Sequence, residues 1–451
     1  MNHRWTTDTC HNGGNPRKAV SSRWTQINLY FIQTRSAIAI YMKILHVTQG
    51  YTPAIGGTEL LIQRVSEELV RQFGDEVTVF TTNCLNGEGF FNPKLPRLQP
   101  GDEEINGVKV RRFPVHSRMS QMVRFPQKVA YRLHLPFNEH LRTIAGGPII
   151  PGLKKAIQEF PADIIAASSF PLLHMYAALN GAKESGRPCV LHGGIHPQDD
   201  WAFQRSRIYR AIEQSTYYLS NTKYEADYVI KRGASPERVV VVGVGVDPEP
   251  FEQISSTQAK QHFGFGEQPV VGFIGQLGGH KGVDTLVQAM PLVWQIFPDV
   301  QLLVAGAKTM FAEKVENIIC QLPEAYKKQV KLYYNFSNEE KPLLFSAVDV
   351  FAYPSGFESF GIAFLEAWAA GKPVIGCRAG AVPWVIDEGR DGLLVDYKNQ
   401  EILAEAIIKV LKNSSWAKTL GNAGRQKVLS RYTWSKVAQK FREVYVQAIN
   451  T

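Results

Sequence analysis

Short apolar runs, turn-forming clusters and amphipathic stretches follow one another along most of the chain. Met42-Lys-Ile-Leu-His-Val starts as a buried strand should, and Gly56–Gly57 precede a helical pattern with Leu60, Leu61, Val65, Leu69 and Val70 on its inner face. Glu76–Thr82 and Val108–Phe113 read as strands around a Pro/Gly/Asn-rich loop at 83–107. Further strands are predicted at Asp163–Ala167, Cys189–His192, Tyr217–Ser220 and Val239–Val242, with a helix at His174–Lys183. The pattern breaks at Gly243–Pro248 and then restarts. Strands come next at Val270–Ile274, Val300–Ala305 and Val330–Tyr334, with a helix over Val283–Val293. Val348–Ala352 reads as a buried parallel strand that ends in Pro354–Ser355–Gly356. Ser359 is the predicted N-cap of a helix opened by Phe360–Gly361, running through Ala370 and closed by Gly371; Pro373–Gly376 begins the next strand. The last helix, Trp434–Ile449, puts Trp434, Val437, Phe441, Val444 and Ala448 on one stripe. Strands alternating with helices predict an α/β protein with parallel sheets.

The interruption divides the chain. The expected plan is a leader over 1–41, a first domain over 42–245, a linker at 246–262 and a second domain over 263–433, with the helix 434–451 returning to the first. The leader is polar and basic, and Arg35 interrupts its one apolar patch, so it does not read as a signal peptide. It is either an upstream extension of the reading frame or a basic targeting arm.

At 451 residues, with 44% hydrophobic and 20% charged residues, the chain has room for two such domains with full cores. Its five cysteines (Cys10, Cys84, Cys189, Cys320 and Cys377) are scattered with no C-x-x-C, which argues against a disulfide framework or a zinc site and for a reducing cytosol. No apolar run approaches the roughly 20 residues that span a bilayer. A net charge of +9 favours anionic partners, and no nucleic-acid-binding motif accompanies it. Residues 117–155 are basic and aromatic, with Arg118, Arg124, Lys128, Arg132, Arg142, Lys154 and Lys155 among Phe125, Tyr131, Leu133 and Phe137. They form either a surface for anionic lipid or a solvated helical face.

Chemistry concentrates at the predicted strand ends. Glu358 and Glu366 lie eight residues apart, so on one helix they face the same side about 12 Å apart along the axis. Carboxylates beside a small-residue turn and a helix N-terminus suit a ligand with sugar hydroxyls and phosphate. The plainer alternative is a loop cap and a solvated glutamate. Gly275-Gln-Leu-Gly-Gly-His-Lys281-Gly after a strand is a phosphate-type turn, whereas Gly56–Gly57 reads equally as an anion loop or an ordinary turn. His192 and His196 follow another strand end, where a histidine is either a packing group or a ligand contact. Asp199 and Asp200 either meet an acceptor hydroxyl or have no such role.

Glu358, seven residues, Glu366, then AAGKPVI and GLLV, resembles the donor-site signature of the retaining glycosyltransferases of family 4. The resemblance covers roughly 42–451 and implies the GT-B fold, two Rossmann-like domains facing across a cleft. It also implies transfer of a sugar from a nucleotide-sugar donor with retention of configuration, without a bound metal and with no cofactor beyond the donor itself. The acceptor expected from it is a saccharide or a lipid-linked acceptor in polysaccharide or glycolipid synthesis, on the cytoplasmic side and with peripheral contact to anionic membrane. By the same resemblance Lys281 and Gly56–Gly57 hold the diphosphate with the helix terminus at Phe360–Gly361. Glu358 orients the sugar, Glu366 binds the ribose, and His192 holds the sugar from the opposite wall with His196 as the spare. The Asn335–Ser337 loop resembles the one that holds the base. Two positions depart from the family: Gln276 stands where it has arginine, with His280 or Arg378 as candidate compensating groups, and Trp384 replaces a glutamate. These departures keep open a non-catalytic binding protein, and the fold keeps open a nucleotide-sugar epimerase.

Overall fold

Two open sheets carry the chain in a computed structural model that describes residues 41–54 and 56–451. The leader reading, apart from Tyr41, falls outside the described residues. The first sheet contains β1 (Lys43–Val47), β2 (Glu76–Thr82), β3 (Gly101–Ile105), β4 (Val108–Phe113), β5 (Ile164–Ser168), β6 (Cys189–His192), β7 (Tyr217–Ser220) and β8 (Val239–Val241). The second contains β9 (Val270–Ile274), β10 (Gln301–Gly306), β11 (Val330–Tyr334), β12 (Val350–Tyr353), β13 (Val374–Cys377) and β14 (Gly392–Val395). Their orders are β3-β4-β2-β1-β5-β6-β7-β8 and β11-β10-β9-β12-β13-β14. The β3–β4 pair is antiparallel and the other pairs are parallel. The helices that bear on function are α1 (Gly57–Phe73), α2 (Ser117–Arg132), α3 (Val283–Trp294), α4 (Ile362–Ala369) and α5 (Trp434–Ile449). Among the described residues no helix is long and apolar enough to cross a membrane.

Central strands such as β5, β9, β12 and β13 are buried along their whole length, as parallel strands covered by helices on both faces must be. That burial made them visible as continuous apolar runs. The stretch 83–107 is not wholly loop, because it contains the edge strand β3. Its sequence, Gly-Asp-Glu-Glu-Ile, has no apolar alternation, and it pairs through the β4 backbone and through Arg111–Asp102 and Arg112–Glu103 ion pairs. The strand predicted at Val348–Ala352 starts at Val350 instead. Asp349 turns its carboxylate back onto the Val270 N–H (2.7 Å), so the chain enters the sheet two residues later.

Each sheet changes direction at its first strand: β1 lies between β2 and β5, and β9 between β10 and β12. Connections on either side of such a strand depart to opposite faces, leaving a crevice at the carboxyl ends where open sheets bind ligands.

The last helix, α5, comes after the second sheet in the chain yet packs on the first. Tyr445 Oη lies 3.0 Å from His46 Nε2 on β1, and Arg442 reaches Asp75 at 2.8 and 3.1 Å. The Asp75 side chain has 0% exposure and also accepts from the Met42 N–H at 3.1 Å. Removing one partner of a buried pair leaves an uncompensated charge. Arg442→Met is therefore expected to lower the unfolding free energy by about 3 kcal/mol in urea titration. Asp75→Asn added to it should restore part of the loss.

Candidate active site

The loops at the carboxyl ends of both sheets enclose a cleft of about 760 Å³. Gly56, Gly57, His192 and His196 line it from the first sheet, and Gln276, Lys281, Glu358, Phe360, Gly361 and Glu366 from the second. The catalytic residues and the diphosphate, sugar and ribose contacts expected from the sequence thus meet in one place, whereas the Asn335–Ser337 loop expected at the base does not line it.

Lys281 arrives there because two loops touch. Gly282, just before α3, has φ 74°, and a Cβ on it would lie 2.2 Å from the Pro354 carbonyl oxygen. Only glycine allows that approach. The Gly356 N–H then donates to the His280 carbonyl (2.8 Å), joining the loop after β9 to the loop after β12. Lys281 Nζ consequently donates to Glu358 Oε1 at 2.7 Å, both side chains being largely buried. Glu358 is a loop residue: helix α4 begins at Ile362, so the two glutamates do not share one helical face. They share the cleft instead. The predicted cap is also corrected, since Gly361 (φ 95°), not Ser359, is the N-cap of α4 and no side chain bonds to it. Helix α1 likewise starts at a glycine, Gly56, with no side-chain cap. Two helix N-termini therefore face one cleft with no side-chain capping hydrogen bond, and the Glu59 carboxylate folds back beside Gly56 at the start of α1.

On the opposite wall His192 is buried, with Nε2 2.8 Å from Asn221 Oδ1. That contact assigns the proton to Nε2 and leaves Nδ1 as an acceptor, for which the described residues supply no partner. Burial pushes the imidazole down to about 4, so it is uncharged at neutral pH. The loop that follows it is held from beneath by Glu225, which accepts from Tyr218 Oη (2.7 Å), Ile195 N (3.0 Å) and Asn221 N (2.9 Å). Gly193 makes this possible, because a Cβ there would lie 1.6 Å from Tyr218 Oη. His196 is also depressed, mainly by burial and against the pull of Glu358.

Other expectations are resolved by placement. Arg378 is held by Glu388 (2.9 and 3.0 Å) and does not line the cleft, whereas His280, also outside the lining, lies within electrostatic reach of Glu358. Trp384 is half exposed beneath Lys223, whose Nζ is 5.5 Å from the ring centroid. Asp199 caps its own short helix at the Ala202 N–H (3.0 Å). Asn335 holds the Lys308 N–H (3.0 Å), and Asn338 is the residue of that region lining the cleft. Sequence reasoning missed Lys341, which lines the cleft and donates to Glu366 at 3.0 Å. It also missed Asn221, Glu225 and Glu59. Lys341 had one weak signal, its place just after the Ser337–Glu340 capping box.

Residues 55–250 match the family model described as Glycosyltransferase Family 4, and residues 255–427 match the model described as Glycosyl transferases group 1. The chain belongs to this glycosyltransferase family. An uncharacterized glycosyltransferase of Methanocaldococcus jannaschii is 27% identical over 416 residues, 90% of this chain and 98% of the relative. The GDP-mannose-dependent alpha-(1-6)-phosphatidylinositol monomannoside mannosyltransferase of Mycolicibacterium smegmatis is 29% identical over 413 residues, 89% and 97% of the two chains. Among solved structures, Anabaena HepE in complex with UDP and glucose superposes with a TM-score of 0.68 at 18% identity, covering 90% of this chain and 100% of that one. The fold is GT-B.

Because His192 is already neutral well above its depressed pKa, turnover between about pH 5 and 8 should show no limb near 6.5 that belongs to it. A limb there that His192→Gln abolishes in the pH–rate profile would overturn that assignment.

Proposed function

We propose that this glycosyltransferase is a retaining, metal-independent enzyme in which the Lys281–Glu358 pair forms the centre of the donor site. The observation that carries this reading is their 2.7 Å contact between two uncapped helix N-termini. Two lysines, Lys281 and Lys341, stand in the cleft against the carboxylates of Glu59, Glu358 and Glu366. Side chains alone do not make it a strong anion site. Backbone N–H groups of α1 and α4 supply the remaining positive potential, and Lys281 adds a charge at the phosphate.

In this reading Glu358 accepts from the sugar hydroxyls and Glu366 from the ribose. His192 Nδ1, the partnerless acceptor, takes a hydrogen bond from a hydroxyl of the transferred sugar. The bond between C1 and the phosphate oxygen breaks, and the acceptor hydroxyl oxygen bonds to C1 on the same face. Its proton passes to the departing phosphate. Lys281 and the helix N-termini stabilise the charge that develops there. No cofactor beyond the donor enters the scheme. The GDP-mannose and UDP named for the relatives make nucleoside diphosphate sugars the donor class to test first. The acceptor is a saccharide or a lipid-linked saccharide, in polysaccharide or glycolipid synthesis on the cytosolic face of a membrane.

Gln276 in the cleft favours one competing reading, a binding protein with a weakened diphosphate site. Glutamine donates hydrogen bonds but lacks the charge and fork of arginine. Thermal-shift measurements against a panel of nucleoside diphosphates and their sugars should show stabilisation by one nucleotide. Lys281→Ala and Glu358→Ala should each reduce transfer at least about tenfold, a loss of roughly 1.4 kcal/mol of transition-state stabilisation. Full activity in both variants would remove the site assignment. Gln276→Arg distinguishes a lesion, which it should repair, from a pocket built for glutamine, which it should not improve.

A further inference from the structure

The signature run AAGKPVI contributes a lysine, Lys372, that is absent from the cleft lining. It stands at the amino end of β13, the opposite end of the second sheet from the cleft, and lines a separate cavity of about 430 Å³. The cavity lies between the entrances to β9, β12 and β13 and the helices Ser256–His262 and Ser414–Lys427. Its volume falls in the range of small-molecule sites. The charged groups that line it are Lys260, Glu267, Asp349, Lys372 and Lys418. Lys260 and Asp349 are matched to each other at 2.6 Å, and the same carboxylate accepts from the Val270 N–H at 2.7 Å. Glu267 and Lys418 are exposed at the rim. Among the described residues no carboxylate pairs with Lys372: its Nζ donates to the Ser346 carbonyl (2.8 Å) and lies 3.5 Å from Ser256 Oγ. An ammonium has three donors, so at least one is left for a ligand. Burial pushes Lys372 down to about 8, against the pull of Asp349 and with the push of Lys260. A desolvated cation without a carboxylate is costly, and an anion in the cavity would offset that cost.

The position of Lys372 connects this cavity to the cleft. The helix Lys341–Ala347 begins at Lys341 in the cleft and ends beside the cavity, where its Ser346 carbonyl holds Lys372. Helix α4 carries Glu366 into the same cleft and ends at a turn in which the Lys372 N–H donates to the Ala367 carbonyl (2.9 Å). One residue therefore ties together the two helices that supply the Lys341–Glu366 pair. Lysines are compact point charges without the planar fork of arginine, so a tetrahedral phosphate suits them better than a carboxylate. Val410, Leu411 and Ala417 add an apolar wall for a carbon body. We infer that this cavity is an effector site for a small phosphate ester or free phosphate, held by Lys372, Lys418 and Ser256, whose binding acts on the cleft through the two helices. A ligand shifts an equilibrium only through contacts that differ between its states, and the Lys372–Ser346 bond is the contact this anion would break. The site stands on its own geometry, and only the coupling rests on the donor reading proposed above.

The test is isothermal titration calorimetry of the full chain carrying Lys281→Ala, which removes the lysine assigned to the diphosphate in the cleft. The probes are inorganic phosphate and glycerol 3-phosphate. Saturable binding is expected, and Lys372→Gln and Lys418→Gln should each weaken it at least about tenfold. Lys418 is exposed, so its variant decides the matter if Lys372→Gln does not fold. The ester is already a dianion above about pH 7, and it binds the protonated ammonium. Its affinity should therefore fall as pH is raised through the Lys372 value of about 8. Tighter binding of the ester than of phosphate assigns a phosphorylated small molecule, and equal binding assigns free phosphate. In the unsubstituted chain the probe should weaken nucleotide binding about fivefold. That loss should saturate and disappear in Lys418→Gln, as competition inside the cleft would not. Absence of saturable binding, or binding unchanged in both variants, overturns the site. Binding that leaves nucleotide affinity unchanged overturns the coupling alone. Failure of every nucleotide to bind would count against the donor reading, while the calorimetric result would still decide the site.

Discussion

A buried ion pair between the last helix and the first sheet underlies the geometry of the cleft. Asp75 lies at the turn after α1, and Arg442 reaches it from α5, a helix that in the chain comes after the second sheet. Two charges taken out of water are stable only when they meet with good geometry, so the pair fixes where α5 sits. The same helix then puts Tyr445 against His46 and Phe441 5.9 Å from the His192 ring. The group that seats the helix and the group that lines the ligand wall are thus coupled through one rigid element. Shifting α5 would move the support behind His192.

Inside the cleft, electrostatics rest on backbone more than on side chains. Lys281 is bound to Glu358 and Lys341 to Glu366, so each lysine is already partly compensated. A diphosphate must draw Lys281 away from its carboxylate or share it. Glycine caps at both helix starts fit this need, since a capping serine or aspartate would occupy the N–H groups the anion requires. The same logic explains why Ser359 is not the cap although it is the better capping residue by type.

How much of this was legible depended on which force set each element. Strands buried on both faces announced themselves as apolar runs, and the Glu358–Glu366 spacing with its AAGKPVI tail pointed to two carboxylates that do line the cleft. Strand β3 was hidden because edge pairing through backbone and surface ion pairs leaves no apolar pattern. Lys341 and Glu225 were hidden for another reason. Their roles come from long-range proximity, Lys341 to Glu366 and Glu225 to the loop after β6, and neither spacing nor periodicity encodes a contact between distant segments. The outward-facing apolar side of α2 was not legible, because the apolar side of an amphipathic stretch is normally the one turned inward.

The departures from the family pattern act on different parts of the cleft. In the donor geometry proposed above, Gln276 leaves the diphosphate end without the family's charge, and Arg378, held by Glu388, does not line the cleft to replace it. Lys341 instead puts a charge next to Glu366, at the end assigned to the ribose. In that proposed geometry the positive charge of the cleft is displaced along the donor rather than simply lost. On that proposal the site would discriminate less by phosphate charge and more by how the nucleoside fits between Asn338, Lys341 and Glu366, which line the cleft. Trp384 acts elsewhere: it meets Lys223 across the two halves of the protein, a contact that favours their approach without entering the donor pocket.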